Sequence, residues 1–327
     1  MEGILFMKDK KTSEKKVKYT SIGGQAVMEG VMMRGKKGYV VAVRHPQNGI
    51  VTAKHAASAN QKYPFLKWPL VRGVVSFIQS LVTGMKVITE SAELSGMDDL
   101  TEENPSKFDL WLERKFGDKL TDVIMGVSVV LAIVLGVGLF ILLPTFLTSL
   151  AAPLYGDSHI WRSIIEGVTR IGIFVLYIFL ISRMKEVRRL FGYHGAEHKS
   201  IACFEHGEDL TVENARKYPR LHKRCGTSFL LIVMLISMIV FFFVKTDVFW
   251  LRILSRLLLV PVIAGLSYEV LRLAGRHDNV FINAISWPGM MLQKLTTSEP
   301  DDSQIEVALA ALKGVLEDEE DVARPEA

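Results

Sequence analysis

The segment Val123–Leu150 constrains this fold most, because it contains no charged residue. A helix needs about 20 apolar residues to cross the hydrocarbon core of a bilayer. This segment exceeds that length, so it predicts a first transmembrane helix, which Pro144 would kink or end. The rest of the chain agrees, since 49% of its residues are hydrophobic and its mean hydropathy is +0.26. The class predicted is a mainly α membrane protein with a substantial aqueous part.

Three further apolar segments follow, at Ser163–Ser182, Thr227–Val244 and Trp250–Leu273. The first of them contains Glu166 and Arg170, which are four residues apart and can pair on one helix face. Because the connections within each pair of segments are short, the sequence predicts four spans in two hairpins. Two long spans with two re-entrant or interfacial helices remain an alternative.

The segment between the second and third spans, residues 183–226, carries ten lysines and arginines. The two short connections carry one each, at Arg162 and Lys245. The positive-inside rule therefore places residues 183–226 and both termini in the cytoplasm of a multi-pass cell-membrane protein. In that reducing compartment, the two cysteines of the chain are expected to be free thiols or metal ligands.

Outside the spans, the sequence predicts a small aqueous region. Alternating residues on either side of Asn48-Gly49 predict a β-hairpin, and the glycines of "GGQAVMEGVMMRG" suit close backbone approach. Glu29 and Arg34 in this run are expected to form an internal ion pair or to face solvent. The predicted organisation is a basic flexible N-terminus (1–20), a cytoplasmic α+β region with amphipathic helices at Trp68–Glu93 and Phe108–Leu120 (21–121), a membrane domain with a His-rich loop at 183–226 (122–295), and an acidic flexible tail (296–327).

The stretch "YHGAEHK" is the first candidate site. Gly192 is expected to stop the preceding helix, and a new helix beginning near His194 places His194, Glu197 and His198 on one face. Two imidazoles four residues apart can bind one divalent ion, and the glutamate can polarise a water. The order His-x-x-Glu-His is the inverse of a zinc-hydrolase motif. The alternative is that these groups merely face lipid headgroups.

Two different completions of this site remain open, with zinc as the expected ion. His222 and Cys225 would complete a nitrogen and sulfur tetrahedron, which is a closed, structural site. Glu269 as the third ligand would instead leave a position for water, with Glu197 as general base. The alternative role for Glu269 is an ion pair with Arg272.

Five motifs together resemble the YqhQ-like family of bacterial membrane proteins: "GGQAVMEGVMMRG", "RGVVSFIQSLVTGMKVITESAE", "YHGAEHKSIACFEHG", "HKRCGTSFLL" and "LSYEVLRLAGR". The resemblance covers residues 20–295. It implies a predicted metal-dependent enzyme of uncharacterised substrate, with His194, Glu197, His198, His222 and Cys225 as candidate site residues.

Three functions are compatible with these patterns. The first is a metal-dependent hydrolase at the cytoplasmic membrane face, acting on a peptide or lipid-linked substrate, with Glu197 as the catalytic residue. The second is a non-catalytic adaptor that binds other membrane proteins and uses its metal as a staple. A small transporter is a weaker third. No nucleic-acid module is visible, and the lipid bilayer is the expected partner; the oligomeric state stays open.

Overall fold

A computed structural model describes residues 20, 22–57, 68–96, 115, 117, 120–156, 158–222, 225–244, 246, 248–274 and 280–320. The basic segment 1–19 lies outside these ranges. So does the second expected amphipathic helix, Phe108–Leu120, apart from residues 115, 117 and 120.

The described residues contain one antiparallel sheet, with the strand order β1-β2-β3-β4. Its strands are β1 Gly23–Val27, β2 Gly30–Arg34, β3 Gly38–His45 and β4 Gly49–Ala56. The predicted hairpin is confirmed as β3 and β4, where His45 pairs with Gly49. Gly49 has a φ of +72°, which a glycine adopts without strain. The glycine-rich run before it forms β1 and β2.

Helices make up most of the rest of the described chain. They are α1 Val71–Leu94, α2 Leu120–Val137, α3 Leu143–Leu150, α4 Ala152–Tyr155, α5 His159–Ile181, α6 Lys185–Glu205, α7 Val212–Arg216, α8 Thr227–Phe242, α9 Phe249–Ala274, α10 Val280–Thr296 and α11 Asp302–Glu320. A π-helical turn, Gly138–Leu142, joins α2 to α3.

Within the described ranges, four helices are long and apolar enough to cross a membrane: Val71–Leu94, Gly126–Leu150, His159–Ile181 and Phe249–Leu273. Three of them are predicted spans, which suggests a membrane protein. The predicted third span is shorter than expected, because α8 has 16 residues. At about 1.5 Å per residue such a helix covers roughly 24 Å, less than the ~30 Å of a hydrocarbon core.

Helix α1 takes the fourth place in that set, although the sequence favoured a surface helix. It packs on the sheet, since Val87 joins a buried cluster with Val27, Met32, Val41 and Val43. The other end of α1 meets α9 closely: a Cβ on Gly73 would lie 2.9 Å from the Cα of Gly265. Helix α1 therefore connects the sheet to the apolar helices.

The predicted pair of Glu166 and Arg170 is confirmed, with 3.0 Å between carboxylate and guanidinium. The sequence did not reveal its third member, Arg256 of α9, whose Nη2 donates to Glu166 Oε2 at 2.6 Å. All three side chains are buried. Arg170 also donates through Nε to the carbonyl of Phe140 in the π-helical turn, at 3.0 Å. These three charges therefore tie α5, α9 and the π-helical turn together.

Glu166→Gln would leave two buried guanidiniums without their counter-charge. Losing one partner of a buried ion pair costs about 3–5 kcal/mol, so we expect a large fall in the melting temperature in detergent. The control is Glu186→Gln, which removes an exposed carboxylate from the first turn of α6. Equal melting temperatures for the two variants would show that the buried cluster does not hold these helices together.

The expected flexible acidic tail is wrong for residues 302–320, which form α11. One face of α11 is buried in the main core, including Ile305, Ala308 and Leu312, and contacts Tyr193 and Val40 from α6 and β3. The acidic residues that suggested a solvated tail, such as Glu306 and Glu317, lie on the opposite face. The number of acidic residues alone therefore did not indicate that this segment is an amphipathic helix.

Leu312→Ala tests this correction, because Leu312 is fully buried while its neighbour Lys313 is exposed. Truncating a buried leucine costs about 2–5 kcal/mol, so the melting temperature of Leu312→Ala should fall well below that of Lys313→Ala. A flexible tail would tolerate both changes equally.

Candidate metal site

The predicted His-rich loop is mostly helix, because α6 runs unbroken from Lys185 to Glu205. Gly192, expected to end a helix, lies inside α6. A Cβ there would meet the side chain of Gln304, and one on Gly195 would meet the carbonyl of Ser298. These glycines therefore allow close packing of α6 against the first turn of α11 and the segment that leads into it. Residues 192–201 of α6 are all buried.

Three predicted ligands come together on this buried part of α6. His194 and His198 lie one turn apart, with ring centroids 4.5 Å from each other. Cys225 reaches them from the segment before α8, and its Sγ lies 3.2 Å from His194 Nε2. One ligand atom from each of the three residues lies within 4.8 Å of the other two. Two imidazoles and a thiol are a donor set that zinc favours.

Backbone carbonyls fix the orientation of both imidazoles. His194 Nδ1 lies 2.8 Å from the carbonyl oxygen of Thr296, and His198 Nδ1 lies 2.6 Å from that of Arg220. Each Nδ1 therefore carries the proton, and each Nε2 presents its lone pair to the cluster, as in metal-binding histidines. His198 Nε2 is buried without a hydrogen-bond partner among the described residues. Burial also lowers the pKa of His198, which favours the neutral ring. These residues fit a divalent metal.

His222 approaches this cluster but points elsewhere. Its ring centroid lies 5.6 Å from that of His198, and its Nε2 lies 3.7 Å from Glu205 Oε2. Gln293 of α10 holds the backbone of His222 through two hydrogen bonds of 2.8 Å, one to its N–H and one to its carbonyl. The group of close ligand atoms among the described residues does not include His222. Its predicted partner Cys225 is in that group.

Glu197, the predicted catalytic residue, is buried beside the cluster, at 5% exposure. The backbone N–H of Gly24 donates to its carboxylate, while Oε2 is buried without a hydrogen-bond partner among the described residues. Burial raises the pKa of Glu197 above its ordinary value. A carboxylate placed in this way can accept a proton.

Glu269 lies outside the group of close ligand atoms. Its carboxylate accepts two hydrogen bonds from Arg72 of α1, the one from Nε at 2.6 Å. This pair replaces the alternative that the sequence suggested, an ion pair with Arg272. Glu29 is likewise paired with Arg189 of α6 and not with Arg34.

A cavity of about 1040 Å³ opens beside the cluster. Its walls include β1, β2, α1 and α6, and its lining includes Glu197, both ligand histidines, His222 and Cys225. This volume suits a small-molecule or head-group ligand. The cluster therefore borders an open cavity large enough for a substrate.

Sequence reasoning missed the residues that hold the site in place: Gly24, Arg220, Gln293 and Thr296. Two of them, Arg220 and Thr296, act through backbone carbonyls, which carry no residue-type signal. The glycine-rich run did indicate close backbone approach, although nothing in the sequence pointed to Glu197 as the neighbour.

The fold and the site define a class: a protein of apolar helices with a small antiparallel sheet and a His-His-Cys cluster beside a cavity. The chain belongs to the family described as "Protein of unknown function (DUF1385)", which matches residues 68–318. It is also 36% identical, over 296 residues, to "Uncharacterized protein YqhQ" of Bacillus subtilis (strain 168). That match covers 90% of this chain and 92% of the relative.

These comparisons support the resemblance to the YqhQ-like family. Neither description names a metal, a substrate or an activity, so the metal-dependent enzyme implied by the resemblance receives no support from them. No solved structure matches the chain.

Gly24→Ala tests the contact between β1 and Glu197. A Cβ on Gly24 would lie 2.8 Å from Glu197 Cδ and from the carbonyl oxygen of Met32, whereas one on Gly23 would meet nothing within 4 Å. Overpacking costs about 1–3 kcal/mol, so the melting temperature of Gly24→Ala should fall while that of Gly23→Ala stays near the parent. Similar values for both variants would contradict the close approach of Glu197 to β1.

Proposed function

We propose that this protein binds one divalent metal, zinc, through His194, His198 and Cys225, and that it is a metal-dependent hydrolase. The observation that carries the proposal is the open arrangement of the cluster. Three ligand atoms lie together, His222 faces Glu205, and the free side borders the cavity that Glu197 also lines. Three protein ligands with an open position are typical of catalytic zinc sites, and four are typical of structural ones.

Each residue of the site would have a distinct role in hydrolysis. A bound divalent ion supplies Lewis acidity, which polarises a carbonyl or phosphoryl group and lowers the pKa of water. Glu197 accepts the proton of the attacking water and returns it to the leaving group. The N–H of Gly24 holds one side of the Glu197 carboxylate and leaves Oε2 for this exchange. The carbonyls of Thr296 and Arg220 keep both imidazoles in the ligand tautomer.

The substrate class and the topology extend the same proposal. We infer a peptide or lipid-linked substrate at the cytoplasmic membrane face, in a multi-pass protein with both termini in the cytoplasm. The excess of lysine and arginine in residues 183–226 supports this orientation. Since α6 occupies the centre of that segment, the cluster lies on the same side.

Elemental analysis of purified protein tests metal binding. We expect one zinc per chain in the parent and less than a tenth of that in Cys225→Ala, because one of three ligands is lost. Cys203→Ala is the matched control, since Cys203 is also buried and free. His222→Ala should retain the metal; its loss there would favour a closed site with four protein ligands. A parent that stays metal-free after incubation with zinc would refute the metal site.

Glu197→Gln distinguishes a catalytic metal site from a structural one. A positioned general base typically contributes about 10²–10⁴-fold in rate, so hydrolysis of 4-nitrophenyl acetate, used as a generic ester probe, should fall by that factor while zinc is retained. If the metal only holds α6 to the segment before α8, Glu197→Gln should change nothing and His198→Ala should lower the melting temperature. That result would support the non-catalytic adaptor.

A further inference from the structure

The cavity beside the His-His-Cys cluster carries one permanent positive charge among its described lining residues, that of Arg34 at the end of β2. The side chain of Arg34 is exposed, and it has no ion-pair partner among the described residues. Its nearest sequence candidate, Glu29, is held by Arg189. A guanidinium can bind a phosphate or carboxylate through two parallel hydrogen bonds. One end of the cavity is therefore suited to an anionic group.

A second wall of the cavity belongs to a helix that is apolar enough to cross a membrane. Ser80 and Thr83 of α1 line the cavity, and their spacing of three residues places them on one helix face. Other positions of α1 expose large apolar side chains, namely Ile78, Leu81, Val82, Met85 and Ile88. Helix α1 therefore separates the cavity from a surface that suits lipid.

Apolar side chains line much of the remaining cavity, contributed by Ile22, Ala26, Met32, Leu190, Phe191 and Ile201. An acyl chain gains about 0.8 kcal/mol for each methylene group that it buries. A lining with one cation and many apolar groups thus matches a molecule with a charged head and an apolar chain.

An extended peptide is a poorer match for this cavity. It would be expected to add to an edge strand of the sheet, and the edge strand that lines the cavity is β1. The N–H of Gly24 on that edge already donates to Glu197 of α6. The edge of β1 is therefore partly occupied where it lines the cavity.

We propose that the cavity binds an anionic amphiphile, with its phosphate or carboxylate head group on Arg34 and its apolar chain along the apolar lining towards α1. This assignment rests on the proposed hydrolase function, since it names the substrate class of the same site. It narrows that class to a lipid-linked molecule with an acidic head group.

Binding of a fluorescent lysophosphatidate, labelled on its acyl chain, tests the proposal with the detergent-solubilised full chain. Fluorescence anisotropy should show Arg34→Gln weakening binding at least tenfold, because a bidentate contact to the head group is lost. Lys54→Gln is the matched control, because it also removes a positive charge from the sheet. Lys54 pairs with exposed Glu317 and does not line the cavity. Its affinity should equal that of the parent.

Three competitors identify what Arg34 and the apolar lining recognise. A monoacylglycerol with the same chain should compete at least tenfold more weakly than lysophosphatidate, and inorganic phosphate should not compete at equal concentration. Stronger competition by phosphate alone, or by a tetrapeptide with a free carboxylate, would overturn the amphiphile. So would equal binding by Arg34→Gln and the parent.

Thr83→Trp tests the same cavity from the α1 side, independently of charge. The larger side chain should fill the space beside α1 and reduce lysophosphatidate binding at least tenfold. Zinc content, measured in the same preparations, should match the parent in both Arg34→Gln and Thr83→Trp. If a metal-free protein binds lysophosphatidate in a way that depends on Arg34, the hydrolase proposal fails and the amphiphile proposal stands. If the protein contains zinc but binding does not depend on Arg34, the amphiphile proposal fails and the metal site stands.

Discussion

The fold depends on how one helix, α6, is buried with its polar side chains. Most helices bury an apolar face. In α6, by contrast, the buried residues 192–201 include two histidines, a glutamate and a lysine. Buried polar groups cost free energy unless they are hydrogen-bonded. Backbone carbonyls from the two segments that flank α6 meet this requirement: Arg220 and Thr296 accept from the histidines, and Tyr218 accepts from Lys199 at 2.7 Å. These segments must therefore follow α6 closely, and the two glycines of α6 leave room for one of them to do so.

A second buried polar centre meets this requirement for its carboxylate, although Arg256 Nε is buried there without a hydrogen-bond partner among the described residues. Glu166 lies between Arg170 and Arg256 and bonds to both, and Thr145 donates to it at 3.2 Å. Both oxygens of Glu166 are thus engaged. At the His-His-Cys cluster, in contrast, His198 Nε2 and Glu197 Oε2 are buried with no hydrogen-bond partner among the described residues. The oxygens of the ion-pair cluster are satisfied by helix packing, whereas an unpaired His198 Nε2 beside two other close ligand atoms points to a bound ligand. This difference is why the functional proposal concerns α6 and not the apolar helices.

Local spacing predicted the parts of this structure that depend on one element. The i and i+4 relation of His194 and His198 holds because both lie on a single helix, and the β3–β4 hairpin follows from Asn48-Gly49. Contacts between distant elements could not be predicted in this way. Glu269 had a plausible local partner and a plausible metal, yet Arg72 binds it from 197 residues away. The acidic C-terminal helix was mistaken for a flexible tail because net charge says nothing about which face carries it. Helix α8 starts at Thr227 as predicted but ends at Phe242, two residues before the predicted end, because composition does not show where a helix ends.

The site cannot form from the sheet, α6 and α11 alone, because its remaining parts come from the apolar helices. Cys225 lies two residues before Thr227, where α8 begins, and Gln293 and Thr296 belong to α10. Leu292, next to Gln293, packs with Phe174 and Leu231 in the buried cluster of α5, α8 and α10. A shift of α10 would move the clamp on His222 and the carbonyl that orients His194 together. The ligand geometry therefore requires correct docking of these helices, which makes metal affinity a measure of how they are assembled. A substrate chain that reaches the cavity past α1 would contact the same group of packed helices, since α1 packs on α9 through Gly73 and Gly265.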